Sequence, residues 1–174
     1  DASLNVDDFR AQERTFNLIT QVCGRAGRGK KHGRAVIQTY MPDNHTLTLS
    51  KNQDYISFYN EEIKIRRELN FPPFCDIVSV LLTGENEYTL SEYAKNIKNS
   101  LNTVMIKEAV SDFEILGPTT ASIPKINSKY RQRIWIKCKL NDKTQDILMR
   151  LRAFHIKNSN NINMMIESNP YNTL

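Results

Sequence analysis

Residues 130–140 read Tyr130-Arg131-Gln132-Arg133-Ile134-Trp135-Ile136-Lys137-Cys138-Lys139-Leu140. In an extended strand successive side chains point to opposite faces, so Arg131, Arg133, Trp135, Lys137 and Lys139 share one side. Ile134, Ile136 and Cys138 share the other. An apolar face backed by a polar one is the pattern of an antiparallel sheet that carries helices on one side only. Working outward, 77–83 is apolar and β-branched, and 113–116 is short and strand-like before Gly117-Pro118. Residues 164–167 make a last strand. Between these lie two helical stripes, Leu90, Tyr93, Ala94, Ile97, Leu101, Val104 and Met105, then Ile147, Leu148, Leu151 and Phe154. The order strand, helix, strand, strand, helix, strand predicts a ferredoxin-like βαββαβ plait over residues 73–174, with both helices on one face.

Toward the N-terminus the grammar changes. Asn70-Phe71-Pro72-Pro73-Phe74 stops whatever precedes it, because each proline lacks a donor and the residue before a proline avoids helical dihedrals. Ahead of it, Tyr55, Phe58, Ile65 and Leu69 repeat at helical spacing, so 48–72 reads as a linking helix and its boundary. Residues 34–40, Arg34-Ala35-Val36-Ile37-Gln38-Thr39-Tyr40, read as a strand buried on both faces, the kind found in parallel sheets. A helix capped by Asp7 or Asp8 and running to about Gly24 or Arg25 precedes it, with Phe9, Phe16, Ile19 and Val22 available to one buried side. Residues 1–47 therefore form a first piece whose strand has no neighbours in this sequence, and its open edge is expected to pair with another copy of the chain.

The end of that first helix carries Gln21-Val22-Cys23-Gly24-Arg25-Ala26-Gly27-Arg28. Arginine forks suit phosphate oxygens, and glycines let backbone approach an anion closely. The same cluster also reads as a solvated helix C-terminus. The stretch resembles motif VI of superfamily-2 helicases. The longer run from Asp8-Phe9-Arg10-Ala11-Gln12-Glu13-Arg14-Thr15-Phe16 resembles the primosomal, replication-restart family of those helicases. The likeness continues through Val36-Ile37-Gln38-Thr39-Tyr40, Arg66-Arg67-Glu68-Leu69-Asn70-Phe71-Pro72-Pro73-Phe74, Ile115-Leu116-Gly117-Pro118 and Tyr130-Arg131.

This resemblance implies an α/β (α+β) chain: the remnant of a RecA-like helicase lobe (1–47), a linking helix (48–72), and a plait domain (73–174) similar to a ribosomal small-subunit protein. It implies the C-terminal part of an ATP-dependent DNA helicase that moves 3′ to 5′, restarts stalled replication forks and assembles the primosome. Gln21, Gly24, Arg25, Gly27 and Arg28 occupy the nucleotide-binding motif, where Arg25 and Arg28 would reach the γ-phosphate and Gln21 would orient the arginines or the attacking water. Cys23 stands where alanine is expected. ATP, Mg2+ and a structural zinc are implied for the intact parent through elements upstream; no phosphate-cradling loop or zinc cluster is present here, so this chain alone is expected to be inactive and to bind no cofactor. Implied partners are single-stranded or forked DNA, the single-stranded-DNA-binding protein and primosome proteins.

Composition agrees with an anionic partner. The 174 residues carry a net charge of +5, which favours nucleic acid without naming it. Cys23, Cys75 and Cys138 are odd in number and unpaired in spacing, so neither a disulfide framework nor a zinc site is indicated. No run approaches a membrane span, and a cytoplasmic home is expected. On the strand at 130–140, Arg131, Arg133, Trp135, Lys137 and Lys139, with Lys125 and Lys129 on the preceding loop, would present cations and a ring to single-stranded DNA: cations track phosphates and a base stacks on the ring. Equally, those charges could solvate an open face while Trp135 packs under a neighbouring segment. The competing function is a stand-alone nucleic-acid-binding or protein-docking module.

Overall fold

A computed structural model describes residues 1–6, 8–26, 34–159 and 161–171. The chain divides into two compact units, Asp1–Leu69 and Asn70–Leu174.

The first unit holds three helices: α1 (Ala11–Ala26), α2 (His45–Lys51) and α3 (Tyr55–Glu68). Asp8 precedes α1, accepting from the Arg10 amide at 2.8 Å and pairing with Arg14 at 2.9 Å. Ala11, Thr15, Phe16 and Ile19 of α1 are buried on one side; of the expected set Phe16 and Ile19 are among them, whereas Phe9 is only partly buried and Val22 is exposed. Asn44 caps α2 and Asp54 caps α3, each accepting from amides of the first turn. Phe16 stacks on Phe58 of α3 with ring centroids 4.3 Å apart, and Leu4, Ile19 and Leu47 form a small cluster beside Cys23 and Met41. Arg66 of α3 donates to Glu62 at 2.9 Å and to Glu13 of α1 at 2.7 Å. The strand expected at 34–40 does not form: residues 34–39 have no regular structure, and Val36 is 79% exposed. A strand needs a neighbour to satisfy its amides and carbonyls, and no described residue of this unit is in one. The remnant of a RecA-like lobe expected at 1–47 is therefore not confirmed.

The second unit is the plait. Its elements are β1 (Asp76–Gly84), α4 (Glu87–Lys107), β2 (Glu114–Ile126), β3 (Lys129–Cys138), α5 (Asp142–Asn158) and β4 (Asn163–Ser168). The strands lie in the order β2-β3-β1-β4, every neighbour antiparallel, which is the ferredoxin-like arrangement. Val78, Val80 and Leu82 of β1, Ile134, Ile136 and Cys138 of β3, and Leu90, Ala94, Ile97, Leu101 and Met105 of α4 meet in one core with Ile147, Leu148 and Leu151 of α5. Burying each large aliphatic chain is worth roughly 1.5–3 kcal/mol, and this layer holds the unit together. Asn141 caps α5 through a reciprocal pair of bonds with Thr144.

β2 is longer than the 113–116 that alternation suggests, because its pairing with β3 is broken twice and resumes each time. Leu116 faces Trp135 and Thr119 faces Arg133, so the Gly117-Pro118 step inserts one extra residue. Gly117 sits at φ +91°, and Lys98 of α4 donates to its carbonyl at 2.6 Å. A second break separates Thr120 from Lys125. The hairpin then closes through Asn127 and Ser128, both at positive φ, the geometry of a two-residue turn that matches strand twist.

Candidate nucleic-acid interface

In the first unit, Gln21, Gly24 and Arg25 lie in the last turns of α1, all three exposed. Gln21 and Arg25 are four residues apart and so share a helix face. A Cβ on Gly24 would meet nothing within 4 Å. Arg25 thus stands exposed near the helix end. Gly27 and Arg28, the remaining members of the motif, lie outside the described residues, as do Lys30, Lys31 and His32.

In the second unit, β3 divides as alternation predicts, with Ile134, Ile136 and Cys138 in the core. The opposite row is not the open cationic face expected. Arg133 is 7% exposed and Lys137 8%, and their β1 neighbours Ile77, Ser79 and Leu81 are buried too. Contacts inside the unit supply part of the reason. The Lys137 ammonium lies 4.3 Å from the centre of the Phe71 ring and 3.2 Å from the Glu114 carboxylate. The Arg133 guanidinium lies over the Trp135 ring at 5.1 Å. Burial first, and neighbouring Arg131 second, pull the Arg133 guanidinium below its ordinary value, with Glu167 opposing. Trp135 is half-buried under that guanidinium, so its ring is not a free stacking platform.

The cations that reach solvent gather at the ends of β3. At the hairpin end Lys125 is exposed and Lys129 and Arg131 are partly exposed, while Lys139 is exposed at the far end. Lys125 extends over the Tyr130 ring at 4.3 Å, and Arg131 donates to the Ile123 carbonyl at 3.1 Å, which holds the bulged part of β2 against β3. Cations and an aromatic ring therefore flank the turn on the paired ends of two strands. Lys125 and Lys129, expected on a loop, lie instead at the end of β2 and the start of β3, because the hairpin needs only Asn127 and Ser128 to turn; Arg131 is on β3 as expected, and the parts played by Tyr130, Phe71 and Glu114 were not foreseen. Tyr130 was legible as the residue flanked by Lys129 and Arg131, whereas the reach of Phe71 to Lys137 spans 66 positions and leaves no local signal.

Among the described residues, no group of three or more histidines, cysteines or carboxylates could hold a metal ion, and no helix is long and apolar enough to cross a membrane. Cys138 is buried in the core with its thiol pushed up to about 11, and burial raises Cys75 as well.

Residues 67–171 match the family model described as the primosomal protein N C-terminal domain. Replication restart protein PriA of Bacillus subtilis is 34% identical over 173 residues, an alignment covering 98% of this chain and 21% of that protein. The proteins of the same name from Rickettsia typhi and Synechocystis are 40% and 36% identical over 136 and 137 residues. Those alignments cover 78% and 79% of this chain, and 20% and 16% of the relatives. The chain thus spans about a fifth of the length of the first relatives it matches. A designed protein with a ferredoxin fold aligns at a TM-score of 0.37 and 13% identity, covering 57% of this chain and 89% of its own. With residues 67–171 matched, well over half of its length, the chain belongs to the family of the primosomal protein N C-terminal domain, whose relatives here are replication restart proteins named PriA.

Proposed function

We propose that this chain is the C-terminal part of an ATP-dependent superfamily-2 DNA helicase acting 3′ to 5′ in replication restart. In this reading residues 1–47 end its second motor lobe, 48–72 link, and 73–174 hold DNA. The observation that carries the DNA-holding role is the basic end of the β2–β3 hairpin, where Lys125 lies over the Tyr130 ring on one face and Lys129 and Arg131 lie on the other, all on the strands that flank a two-residue turn. Cations beside a turn follow a phosphate backbone without reading bases, which suits an enzyme that must move along any sequence. Lys139 would extend the track; Arg133, Trp135 and Lys137 would hold the hairpin in place.

In the intact enzyme Arg25 and Arg28 would face the γ-phosphate across the cleft between motor lobes, with Gln21 orienting them and Gly24 and Gly27 letting the backbone approach. In the same proposal the rest of the nucleotide, Mg2+ and a structural zinc would be held by upstream parts of the enzyme. Docking of the single-stranded-DNA-binding protein and of primosome proteins belongs to the same proposal.

The test is fluorescence anisotropy with labelled single-stranded DNA across a salt series. If each hairpin cation displaces a counterion from the strand, K125A/K129A/R131A should flatten the slope of log affinity against log salt by about 2, at roughly 0.7 per cation. An unchanged slope moves the contact away from the hairpin. Loss of all binding in the triple variant, with its melting temperature intact, makes this end the whole of the surface.

A further inference from the structure

The end of α1 that carries Gln21 and Arg25 is exposed, so whatever aims those side chains acts elsewhere along the helix. Ala11, Thr15, Phe16 and Ile19 are its buried side, and at about 100° per residue Gln21 and Arg25 lie outside that arc. Apolar packing is non-directional, so the stack of Phe16 on Phe58 holds the helix down without fixing its rotation as sharply as a directed bond would. Two neutral bonds fall on the same buried side: the Thr46 hydroxyl donates to Gln12 at 2.7 Å, and Thr15 donates to the Ser3 hydroxyl at 3.1 Å.

Glu13 lies elsewhere, about 60° round the helix beyond Phe16, and takes a charged bond from α3: Arg66 Nη2 donates to its carboxylate at 2.7 Å. Arg66 is itself fixed. Its Nε donates to Glu62, one turn earlier on α3, at 2.9 Å, and its guanidinium lies 5.2 Å from the centre of the Phe9 ring. Its side chain is 14% exposed. No buried charge demands the bond to α1, because the Glu13 side chain is 44% exposed and Glu62 already partners Arg66. What the bond adds is a directional tie on a side of α1 that the apolar contacts leave open.

We propose that Arg66 and Glu13 are a positioning pair for the arginine motif, fixing the rotation of α1 about its own axis and so the direction in which Gln21 and Arg25 are presented. This role rests on Gln21 and Arg25 facing the γ-phosphate in the intact enzyme, as proposed above. Arg66 and Glu13 touch no nucleotide themselves; they act through the helix. From Glu13 to Arg25 is about 18 Å along α1, a length over which a helix is stiff, so a turn at one end is carried to the other. With side chains reaching about 5–6 Å from the axis, a rotation of about 10° moves the guanidinium by about 1 Å. A misplacement of that size at a reacting phosphate costs up to about 100-fold in turnover.

The experiment is steady-state ATP hydrolysis by the intact helicase with saturating single-stranded DNA, comparing Glu13→Ala, Glu13→Gln and Arg25→Ala with the original. Glu13→Ala should lower kcat at least about tenfold with KM for ATP within about twofold, because the arginine acts on the transferring phosphate and not on ground-state binding. Its melting temperature should stay within about 3 °C of the original, since Arg66 keeps Glu62. Glu13→Gln keeps an acceptor oxygen for Nη2 and should return kcat to within about threefold of the original. Arg25→Ala should abolish turnover. If it does so while Glu13→Ala keeps the original kcat, the positioning pair is refuted and the reading of the motif stands. If Arg25→Ala turns over ATP normally, the reading of the motif fails and the pair falls with it. A Glu13→Ala enzyme whose kcat loss tracks a lowered melting temperature, or a Glu13→Gln enzyme equally slow, also overturns the proposal.

Discussion

Replacing Gly117 by alanine should cost the plait several kilocalories, and the amount can be worked from the bulge. A Cβ at Gly117 would lie 2.7 Å from the Arg133 carbonyl oxygen and 3.0 Å from the Thr119 nitrogen, at φ +91°. Both neighbours are backbone atoms of a paired ladder, so neither can swing aside. Forcing an L-residue to positive φ costs about 1–2 kcal/mol, and shifting β2 to relieve the overlap costs about another 1–3 kcal/mol. The total is about 2–5 kcal/mol, which at about 4 °C or more per kcal/mol for a unit of this size lowers its melting temperature by at least about 8 °C. Trp135 is the only tryptophan and lies opposite Leu116 beside the bulge, so its fluorescence reports the melting of this unit. Gly24→Ala is the control. Its Cβ meets open space inside α1, where alanine is favoured by about 0.5–1 kcal/mol, and the first unit should gain stability. A Gly117→Ala chain melting within about 3 °C of the original would refute the argument from the strained turn.

Two further substitutions test other parts of the chain. His155 is buried, its Nδ1 2.8 Å from the Tyr93 hydroxyl and its ring beside the Ile162 backbone; burial holds its pKa below 6.5 against that backbone bond. A depressed pKa favours the neutral ring in the folded state, so its contribution is full above about pH 6.5 and is lost as pH falls below it. The urea midpoint should drop between about pH 7.5 and about pH 5.5, and drop less in His155→Gln; an equal drop in both would assign the effect to other groups. Arg66→Ala strips Glu62, whose side chain is 10% exposed, of the guanidinium at 2.9 Å. The first unit should lose about 2–4 kcal/mol in chemical denaturation followed by circular dichroism, and a loss below about 0.5 kcal/mol would show that Glu62 finds water instead.

The plait was legible because its signals are local and repeated. Alternation in 130–140 separates Ile134, Ile136 and Cys138 from their charged neighbours, and the α4 stripe from Leu90 to Met105 keeps helical spacing for most of the helix. What failed to show are features that depend on a partner far away in sequence. Ala35-Val36-Ile37 has strand composition, but composition cannot supply the neighbouring strand that would satisfy its backbone. β2 hid most of its length because Gly117-Pro118 reads as a break, whereas at a sheet edge prolines and bulges are tolerated. Alternation also named the side on which Arg133 and Lys137 lie and was silent on what covers them. For the motif at the end of α1, spacing alone leaves Gln21 and Arg25 on one helix face, which serves a capped terminus as well as a phosphate.

The placement of the three thiols has a practical consequence. Cys23, half-buried on α1, belongs to the first unit; Cys75 and Cys138, both buried with thiols held protonated, belong to the second. An alkylating reagent at neutral pH should therefore modify Cys23 in the native chain and reach the other two only when the plait opens. Counting modified cysteines by mass against time gives each unit its own clock, so the opening rate of the plait can be read in the full chain, without cutting the two apart.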